Sequence, residues 1–309
     1  MVIEKQQSCC PRPCGRALRH SPEFLTSLRD IATLAVNRAG KIQMEAFGQQ
    51  ARVVERKPHD LKLAIDRRSE RVILETISER FPDHGFISEE YGIIEGCSEY
   101  YWIVDPLDGS VNYSYGMPFF AISIACYRKN RARVTIANVP GNCITGIVYL
   151  PYSNDLFEAV EGRPALKNNR PVSAGSEVRL SEAIISLSFG SDETTMRRME
   201  KINARLLRQV RKIRIHGATA ADLVNVACGQ STGLVQCSVK IWDFAAAALI
   251  LKQAGGCFFA SRSNGSNWEI IAGAPGIFDE LTKILEGTCN PTDNAEKARP
   301  TVYGLNTVY

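Results

Sequence analysis

Residues 102–110 read Trp-Ile-Val-Asp-Pro-Leu-Asp-Gly-Ser, a hydrophobic run that ends in two carboxylates three positions apart. The apolar residues before Asp105 predict a buried strand. Pro106 fixes its own φ and lacks an N–H donor, so it bends the chain and lets both carboxylates and the Leu107 carbonyl converge. Gly109 allows a ligand to approach the backbone closely, and amides at a helix start beside it would hold a phosphate. Hard oxygen ligands of this kind suit Mg²⁺ rather than zinc.

Taken alone, the segment also fits a capped turn in which Asp105 and Asp108 merely bond local amides. Two other segments favour a shared metal site. Glu89-Glu90 follows another short predicted strand, and Trp242-Asp243 opens an almost wholly apolar helix. Buried carboxylates at such points need partners, because an unpaired buried charge is costly, and one cation satisfies all of them.

The composition indicates a soluble globular protein. The chain has 309 residues, of which 45% are hydrophobic and 23% are charged, with a net charge of +4 that does not argue for nucleic acid. No apolar run approaches the roughly 18 to 20 residues that cross a bilayer, and residues 1–20 lack the apolar core of a secretory signal. The ten cysteines show no zinc spacing, so reduced thiols and a cytoplasmic location are expected. Arg12, Arg16 and Arg19 leave a transit peptide as the alternative.

Hydrophobic periodicity predicts the main elements of the chain. Ser21 and Pro22 are interpreted as the N-cap and first position of a helix. Helices are predicted at about residues 22–47, 66–80, 192–212 and 243–254. Short strands are predicted at 86–87, 101–104, 121–127, 146–150 and 156–160. Their irregular alternation favours stacked sheets and helices over a regular parallel βαβ series.

Four motifs carry a resemblance to the inositol monophosphatase family over roughly residues 25–290. The first signature is WIVDPLDGSVN at 102–112, continuing as PFFAISIA at 118–125, and the second is WDFAAAALILKQAGG at 242–256. The glutamate motif is Ser88-Glu89-Glu90, and DLKLAID precedes it at 60–66. The order and separations of these motifs make a chance assembly untenable.

The resemblance implies the fold and its extent. The expected fold class is α/β (α+β), a layered α/β/α/β/α sandwich of the inositol monophosphatase and fructose-1,6-bisphosphatase type. The phosphatase domain is expected to span residues 21–288, with a disordered segment at 1–20 and a loose tail at 289–309. A homodimer is expected as well.

The resemblance also implies a role for each motif residue, around two Mg²⁺ ions and a weaker third ion near Glu89. The implied ligands of the first ion are Glu89, Asp105 and the Leu107 carbonyl. The implied ligands of the second ion are Asp105, Asp108 and Asp243. Asp66 and Ser110 match the pair that orients and deprotonates the attacking water. The implied substrate contacts are Gly109 and Ser110 for the phosphate, and Gly217, Ala218, Thr219 and Gln236 for the alcohol portion.

The chain departs from the family pattern at several positions. Ser88 replaces the usual Gly, Ser110 replaces the usual Thr but keeps its hydroxyl, and Ala247 stands where the second signature normally has Gly. The hairpin between 128 and 146 carries extra residues. Gln236 occupies the position at which animal inositol monophosphatases carry a glutamate that accepts bonds from inositol hydroxyls. The metal ligands are therefore complete, whereas the position that reads the alcohol is altered.

The predicted function is Mg²⁺-dependent hydrolysis of a small phosphomonoester, with myo-inositol 1-phosphate as the leading substrate and lithium sensitivity as a family trait. Other substrates remain open: fructose 1,6-bisphosphate, histidinol phosphate and 3′-phosphoadenosine 5′-phosphate. A regulatory RNA- or transcription-binding protein with vestigial activity is the alternative of a different class. The predicted helix at 192–212 has a basic side, but a solvated face is the simpler interpretation, so nucleic acid is not an expected partner. His216 is interpreted as a structural or rim residue.

Overall fold

The computed structural model describes residues 20–50, 52–57, 60–129, 141–175, 179–190, 192–263 and 265–287. In these residues the helices are α1 (Pro22–Ala46), α2 (Ala64–Arg80), α3 (Ser110–Ser114), α4 (Glu193–Leu206), α5 (Thr219–Ala227), α6 (Ile241–Gln253) and α7 (Pro275–Glu286). The strands are β1 (Val53–Lys57), β2 (Asp60–Leu63), β3 (Gly85–Ser88), β4 (Gly92–Ile94), β5 (Tyr100–Asp108), β6 (Ala121–Lys129), β7 (Gly141–Leu150), β8 (Asp155–Val160), β9 (Leu166–Lys167), β10 (Arg170–Pro171), β11 (Ile184–Ser188), β12 (Lys212–Arg214), β13 (Gly233–Val239), β14 (Cys257–Arg262) and β15 (Trp268–Gly273).

The larger sheet has eight strands in the order β10-β9-β8-β7-β6-β5-β3-β4. Its neighbouring strands are antiparallel, except that β3 runs parallel to β5. Helices α1 and α2 cover one face, where they pack against Trp102 and Val104 of β5. Tyr101 and Ile103 belong to the core on the opposite face, as the alternation of side chains along a strand requires.

The second sheet has five strands in the order β12-β11-β13-β15-β14. Helices α5 and α6 fill the space between the two sheets, and they share one apolar core with both. Along β13, Leu234 faces this inner core, whereas Val235 and Cys237 face the outer core that α4 and α7 cover. The resulting order of helices, sheet, helices, sheet and helices is the α/β/α/β/α sandwich that was predicted, so the fold prediction is confirmed.

Close packing of α6 on β7 explains why this helix is rich in alanine. A Cβ atom at Gly146 of β7 would lie 2.6 Å from the carbonyl oxygen of Ala246, so the helix and strand backbones touch there. Ala245, Ala246 and Ala247 are all buried at this contact. Larger side chains would separate the helix from the sheet that carries the candidate site, because a close-packed interior has no room for them.

The predicted start of the first helix is confirmed, because the Ser21 hydroxyl accepts a hydrogen bond from the Phe24 amide at 3.2 Å. The prediction of a helix over 192–212 was wrong in its second half. Helix α4 ends at Leu206, Leu207 is 61% exposed, and residues 212–214 pair in parallel with β11. That pairing is made by backbone groups, which the pattern of side chains does not reveal. Helix α7 was not anticipated.

The predictions for residues 1–19, for the inserted residues at 130–140 and for the tail at 289–309 lie outside the described residues. Within the described ranges, no helix is both long enough and apolar enough to span a membrane.

Candidate active site

Asp105 and Asp108 lie at the end of β5, where the strand carries a β-bulge. In the ladder with β6, Asp105 pairs with Ser123 and Asp108 pairs with Ala121, so β5 contains one extra residue between the two pairs. Side chains three positions apart in a regular strand point to opposite faces of the sheet. The extra residue brings both carboxylates to the same side.

Buried contacts from two helices anchor the loop between these carboxylates. The Gln43 side chain of α1 donates from Nε2 to the Pro106 carbonyl at 2.6 Å, and the Tyr113 hydroxyl of α3 donates to the Gln43 carbonyl at 2.7 Å. The Ser110 hydroxyl donates to the Leu107 carbonyl at 3.0 Å. The sequence motif included Leu107 and Ser110 but not Gln43, because a partner 63 positions away leaves no local pattern.

Asp108 also lies against the first turn of α5. Its Oδ1 accepts from the Thr219 amide at 2.9 Å, and its Oδ2 accepts from the Ala220 and Ala221 amides at 2.8 and 3.2 Å. The first-turn amides carry the positive end of the helix dipole, so they stabilise an anion at this position. These bonds place the predicted contacts for the alcohol portion next to a predicted metal ligand.

The start of α3 packs directly on the segment that precedes α5. Gly109 has a φ of +89°, and a Cβ atom there would lie 3.0 Å from the Ala218 side chain and 3.1 Å from the Phe119 carbonyl. The Asn112 side chain then donates to the carbonyls of Phe119 and His216 at 2.8 and 2.7 Å. The segments predicted to contact phosphate and alcohol therefore adjoin each other.

Asp66 of α2 and Asp243 of α6 occupy equivalent positions, the third residue of each helix. Each carboxylate accepts a hydrogen bond from the backbone amide three residues earlier, at 2.7 Å for Asp66 and 2.8 Å for Asp243. Such a bond holds the carboxylate at the start of its helix. The Ser123 hydroxyl donates to the Trp242 carbonyl at 3.3 Å, which ties the start of α6 to the strand beside β5.

Glu89 directly follows β3, and buried side chains hold the segment on which it lies. The Glu70 carboxylate on α2 accepts from the amides of Glu90 and Tyr91, both at 2.9 Å. The Lys62 amine donates to the Glu90 carboxylate at 2.6 Å. Glu70 was missed from the sequence, because a glutamate in an amphipathic helix gives no sign that it is buried.

Burial and mutual repulsion raise the pKa of Glu89, Asp105 and Asp108 well above the ordinary range. Loss of solvation is the largest cause for each of them. The next cause is the Asp243 charge for Glu89 and Asp108, and the Glu89 charge for Asp105. Lys62 and nearby amides oppose the rise only in part. The carboxylates are thus close enough to repel one another, and a cation among them would relieve that repulsion.

In the part of the chain that the structure describes, no three His, Cys, Asp or Glu side chains are arranged to hold a metal ion together. Asp66, Asp105, Asp108 and Asp243 each accept a hydrogen bond from at least one backbone amide. A carboxylate has two oxygens and about four lone-pair sites, so it can keep such a bond and still bind a cation. The donor set itself is buried, anionic and made of oxygen atoms, so its chemistry fits Mg²⁺.

Gln236 lies on β13 of the second sheet and is buried. It stands two residues beyond Leu234, which faces the inner core, so its side chain lies on the same face as α5 and α6. Its partner across the ladder is Ser188 of β11. Gln236 therefore lies on the face of the second sheet that packs against α5 and α6, whereas Asp105 and Asp108 lie at the end of β5 in the larger sheet.

The model of the inositol monophosphatase family matches residues 25–289. The chain belongs to this family. The Nus factor SuhB of Pasteurella multocida is 31% identical over 269 residues, which cover 85% of this chain and 97% of that protein. The inositol-1-monophosphatase of Mesorhizobium japonicum is 30% identical over 274 residues, which cover 84% of this chain and 97% of that protein. The crystal structure of extragenic suppressor protein suhB from Bartonella henselae has a TM-score of 0.75 at 29% identity, covering 84% of this chain and 98% of that one.

Proposed function

We propose that this member of the inositol monophosphatase family is a Mg²⁺-dependent phosphatase of small phosphomonoesters, with myo-inositol 1-phosphate as the leading substrate. The observation that carries the proposal is the convergence of carboxylates at the ends of β3 and β5 and at the starts of α2 and α6, where burial and their charges raise the pKa of Glu89, Asp105 and Asp108. These carboxylates belong to Asp66, Asp105 and Asp108, which are buried, and to Glu89 and Asp243, which are half-buried. Membership of a phosphatase family that is generally metal-dependent supports the same function.

The carboxylates would divide between two ions, as the family resemblance implies. Glu89, Asp105 and the Leu107 carbonyl would hold the first, and Asp105 would bridge to the second together with Asp108 and Asp243. A third, weaker ion would lie near Glu89. When bound, Mg²⁺ supplies charge that neutralises the phosphoryl oxygens, lowers the pKa of water and stabilises the departing oxygen.

The chain's own groups orient the reactants. The Asp66 carboxylate and the Ser110 hydroxyl would orient the attacking water and take up its proton. The Ser110 hydroxyl donates a hydrogen bond to the Leu107 carbonyl, so it lies beside the segment that carries the proposed ligands Asp105 and Asp108. The amides of Gly109 and Ser110 would bind the phosphoryl oxygens. With this set, hydrolysis needs no cysteine, histidine or serine nucleophile.

The alcohol portion of the substrate would lie between the start of α5 and strand β13. Gly217, Ala218 and Thr219 would contact it on one side, and Gln236 would contact it on the other. Because Gln236 is neutral, it would not itself repel a substrate that carries further negative charge, as a glutamate there would. Fructose 1,6-bisphosphate, histidinol phosphate and 3′-phosphoadenosine 5′-phosphate are therefore tested beside inositol 1-phosphate.

Release of phosphate from this panel of esters, with and without Mg²⁺, tests the proposal. We expect hydrolysis that requires Mg²⁺ and stops in excess chelator. Full activity in chelator, or no release from any ester at saturating Mg²⁺, contradicts it. Millimolar Li⁺ is expected to inhibit, because a small hard cation can occupy an all-oxygen site while supplying too little charge. Insensitivity to Li⁺ would remove the chain from the lithium-sensitive branch and leave the phosphatase proposal intact.

The proposal includes one phosphatase domain over residues 21–288, a homodimer and a cytoplasmic location. Light scattering of the purified protein measures the oligomeric state directly. A mass that stays at one chain over the whole range of protein concentration would exclude the dimer.

A regulatory binding function is the second candidate, and two observations favour it. Two of the proteins named above are SuhB proteins, one of them described as a Nus factor. Lys201 and Arg205 of α4 and Arg208 just beyond it are exposed. A gel shift with RNA at two salt concentrations tests this function, because binding to phosphates weakens steeply with salt. RNA binding that disappears when these three residues become alanine, without Mg²⁺-dependent hydrolysis of any ester, would favour it over the phosphatase.

A further inference from the structure

His216 lies in the short connection between β12 and α5, beside the proposed alcohol contacts. Its ring stacks on Phe119, with ring centroids 4.5 Å apart and an angle of 29° between the planes. Its carbonyl accepts from the Asn112 side chain at 2.7 Å. Since Asn112 belongs to α3, His216 borders the helix start at which the phosphate contacts are proposed.

A buried carboxylate fixes the orientation of this ring. Nδ1 of His216 lies 2.6 Å from Oδ1 of Asp222, and the same oxygen accepts from the Ser186 hydroxyl at 2.9 Å. A carboxylate only accepts, so Nδ1 carries a proton, and in the neutral form of the imidazole Nε2 is the acceptor. Among the described residues, no side chain or backbone group bonds to Nε2.

The two members of the pair differ in exposure. The Asp222 side chain is 3% exposed, whereas the His216 side chain is 32% exposed. A histidine that served only the core would bury its ring and bond both nitrogens, because buried polar atoms are generally paired. In this arrangement the buried carboxylate holds one ring nitrogen while the ring remains accessible beside the proposed site.

The same network lies next to Gln236 on the inner face of the second sheet. Ser186 and Ser188 are two residues apart on β11, so both point toward α5. Ser188 is the partner of Gln236 across the ladder. The side chains of Ser186, Asp222 and His216 therefore form one continuous hydrogen-bonded chain beside the residue that was predicted to read the alcohol.

We propose that His216 determines specificity, with Nε2 accepting a hydrogen bond from a hydroxyl of the substrate's alcohol portion. Asp222 and Ser186 act through it as positioning residues. The inference rests on the proposed phosphatase function and narrows its substrate class to phosphate esters of polyols, in preference to esters whose alcohol portion has no hydroxyl. A neutral Gln236 offers one acceptor and two donors. The imidazole adds a second acceptor at the place where a polyol presents several donors.

The test compares inositol 1-phosphate with phenyl phosphate, whose alcohol portion has no further hydroxyl. In His216→Phe the stack on Phe119 is retained and the acceptor is lost. We expect KM for inositol 1-phosphate to rise about fivefold, the size of one neutral hydrogen bond. The KM for phenyl phosphate and kcat for both esters should stay within about twofold, since the hydrogen bond to a hydroxyl remote from the phosphate is the same in the ground and transition states.

Two further variants separate this role from a structural one. Asp222→Asn keeps the shape of the side chain but no longer fixes the tautomer, so it should raise KM for the inositol ester selectively as well. His20→Phe is the matched control, because His20 contacts Tyr100 at the far end of the sheet, and it should change neither KM. The melting temperature of each variant shows whether it is folded.

The outcomes distinguish this inference from the proposal on which it rests. Equal changes in KM for both esters, or none in either variant, overturn the role of His216 while the phosphatase function stands. If His216→Phe does not fold, Asp222→Asn alone decides, and an unchanged KM ratio overturns the inference. If the native protein releases no phosphate from either ester at saturating Mg²⁺, the proposed function fails and the inference fails with it.

Discussion

The two sides of the proposed site are built in different ways. On the side of the larger sheet, the carboxylates lie on short contiguous motifs, and each sits where a strand ends or a helix begins. On the side of the second sheet, the groups come from β11, β13, α5 and the connection before it. Functional residues that lie a few positions apart leave a recognisable motif in the sequence. A network whose members come from separate strands and helices leaves no such motif.

The chemistry of the two sides differs as well. The carboxylate side consists of acidic groups that are buried or half-buried, and burial and neighbouring charges raise the pKa of Glu89, Asp105 and Asp108. Among the residues proposed to contact the alcohol, Gln236 and His216 carry hydrogen-bonding side chains in place of a cluster of carboxylates. Damage to the carboxylate side should therefore affect every substrate, and damage to the other side should discriminate between substrates.

The largest effect is expected from Asp105→Asn. Asp105 is the residue proposed to bind both ions, so loss of its charge removes charge-assisted contacts that hold the two cations together. We expect kcat to fall at least about a hundredfold for every ester, the scale on which loss of one key electrostatic contact acts. Steady-state kinetics at saturating Mg²⁺ measure the change.

Asp279→Asn is the matched control, because Asp279 is an exposed aspartate on α7. This variant should retain native turnover. Near-native turnover by Asp105→Asn would contradict the two-ion proposal. A loss confined to one ester would contradict the contrast between the two sides.

The sequence predicted those parts of the molecule that depend on local chemistry. The N-cap at Ser21, strand β5 with its two aspartates and the start of α6 each follow from neighbouring residues. The bulge in β5 was implied only through Pro106, because a bulge is defined by the register with a second strand. Gln43 and Glu70 were missed because their partners are distant in sequence. His216 was interpreted as a structural or rim residue, and its contact with Asp222 was not predicted, because that contact depends on how the connection before α5 folds.

His84 leads to a prediction about stability that involves neither side of the proposed site. His84 directly precedes β3, and its Nδ1 accepts a hydrogen bond from the Trp102 indole N–H at 3.0 Å. Burial lowers the pKa of His84 from 6.5 to about 4. The unfolded chain therefore binds a proton between pH 6.5 and 4 that the folded chain does not. Stability from this group is complete above pH 6.5 and is lost as the pH falls toward 4. We expect this group to contribute about 2 kcal/mol to the free energy of unfolding above pH 6.5, a value reduced to allow for its partial exposure.

Urea unfolding at pH 7 and pH 4 of the native protein and of His84→Gln isolates this contribution, because the titration of all other groups cancels in the difference. The variant should lose less stability than the native protein on acidification. His20→Gln is the control and should behave like the native protein. Identical pH dependence in the native protein and in His84→Gln would show that His84 does not titrate differently on folding.

The smallest effect, and the one most specific to the alcohol side, is expected from Gln236→Glu. A glutamate there would accept charge-assisted hydrogen bonds from the hydroxyls of inositol. Bonds to charged groups are worth about 1.5–3 kcal/mol net, against about 0.5–1.5 kcal/mol for neutral ones. The difference is of order 1 kcal/mol, so KM for inositol 1-phosphate should fall several-fold. Because Gln236 is buried, the new carboxylate should also lower the melting temperature.

The comparison of three esters decides how this result is interpreted. Glycerol 2-phosphate has two hydroxyls on a flexible chain and a nucleoside monophosphate has a bulky base, so neither should gain as much as the inositol ester. A selective fall in KM would place Gln236 at the alcohol portion and would show that specificity is set from the second sheet while turnover is set from the first. Equal changes for all three esters would mean that the added charge acts through the metal side, and that Gln236 does not contact the alcohol.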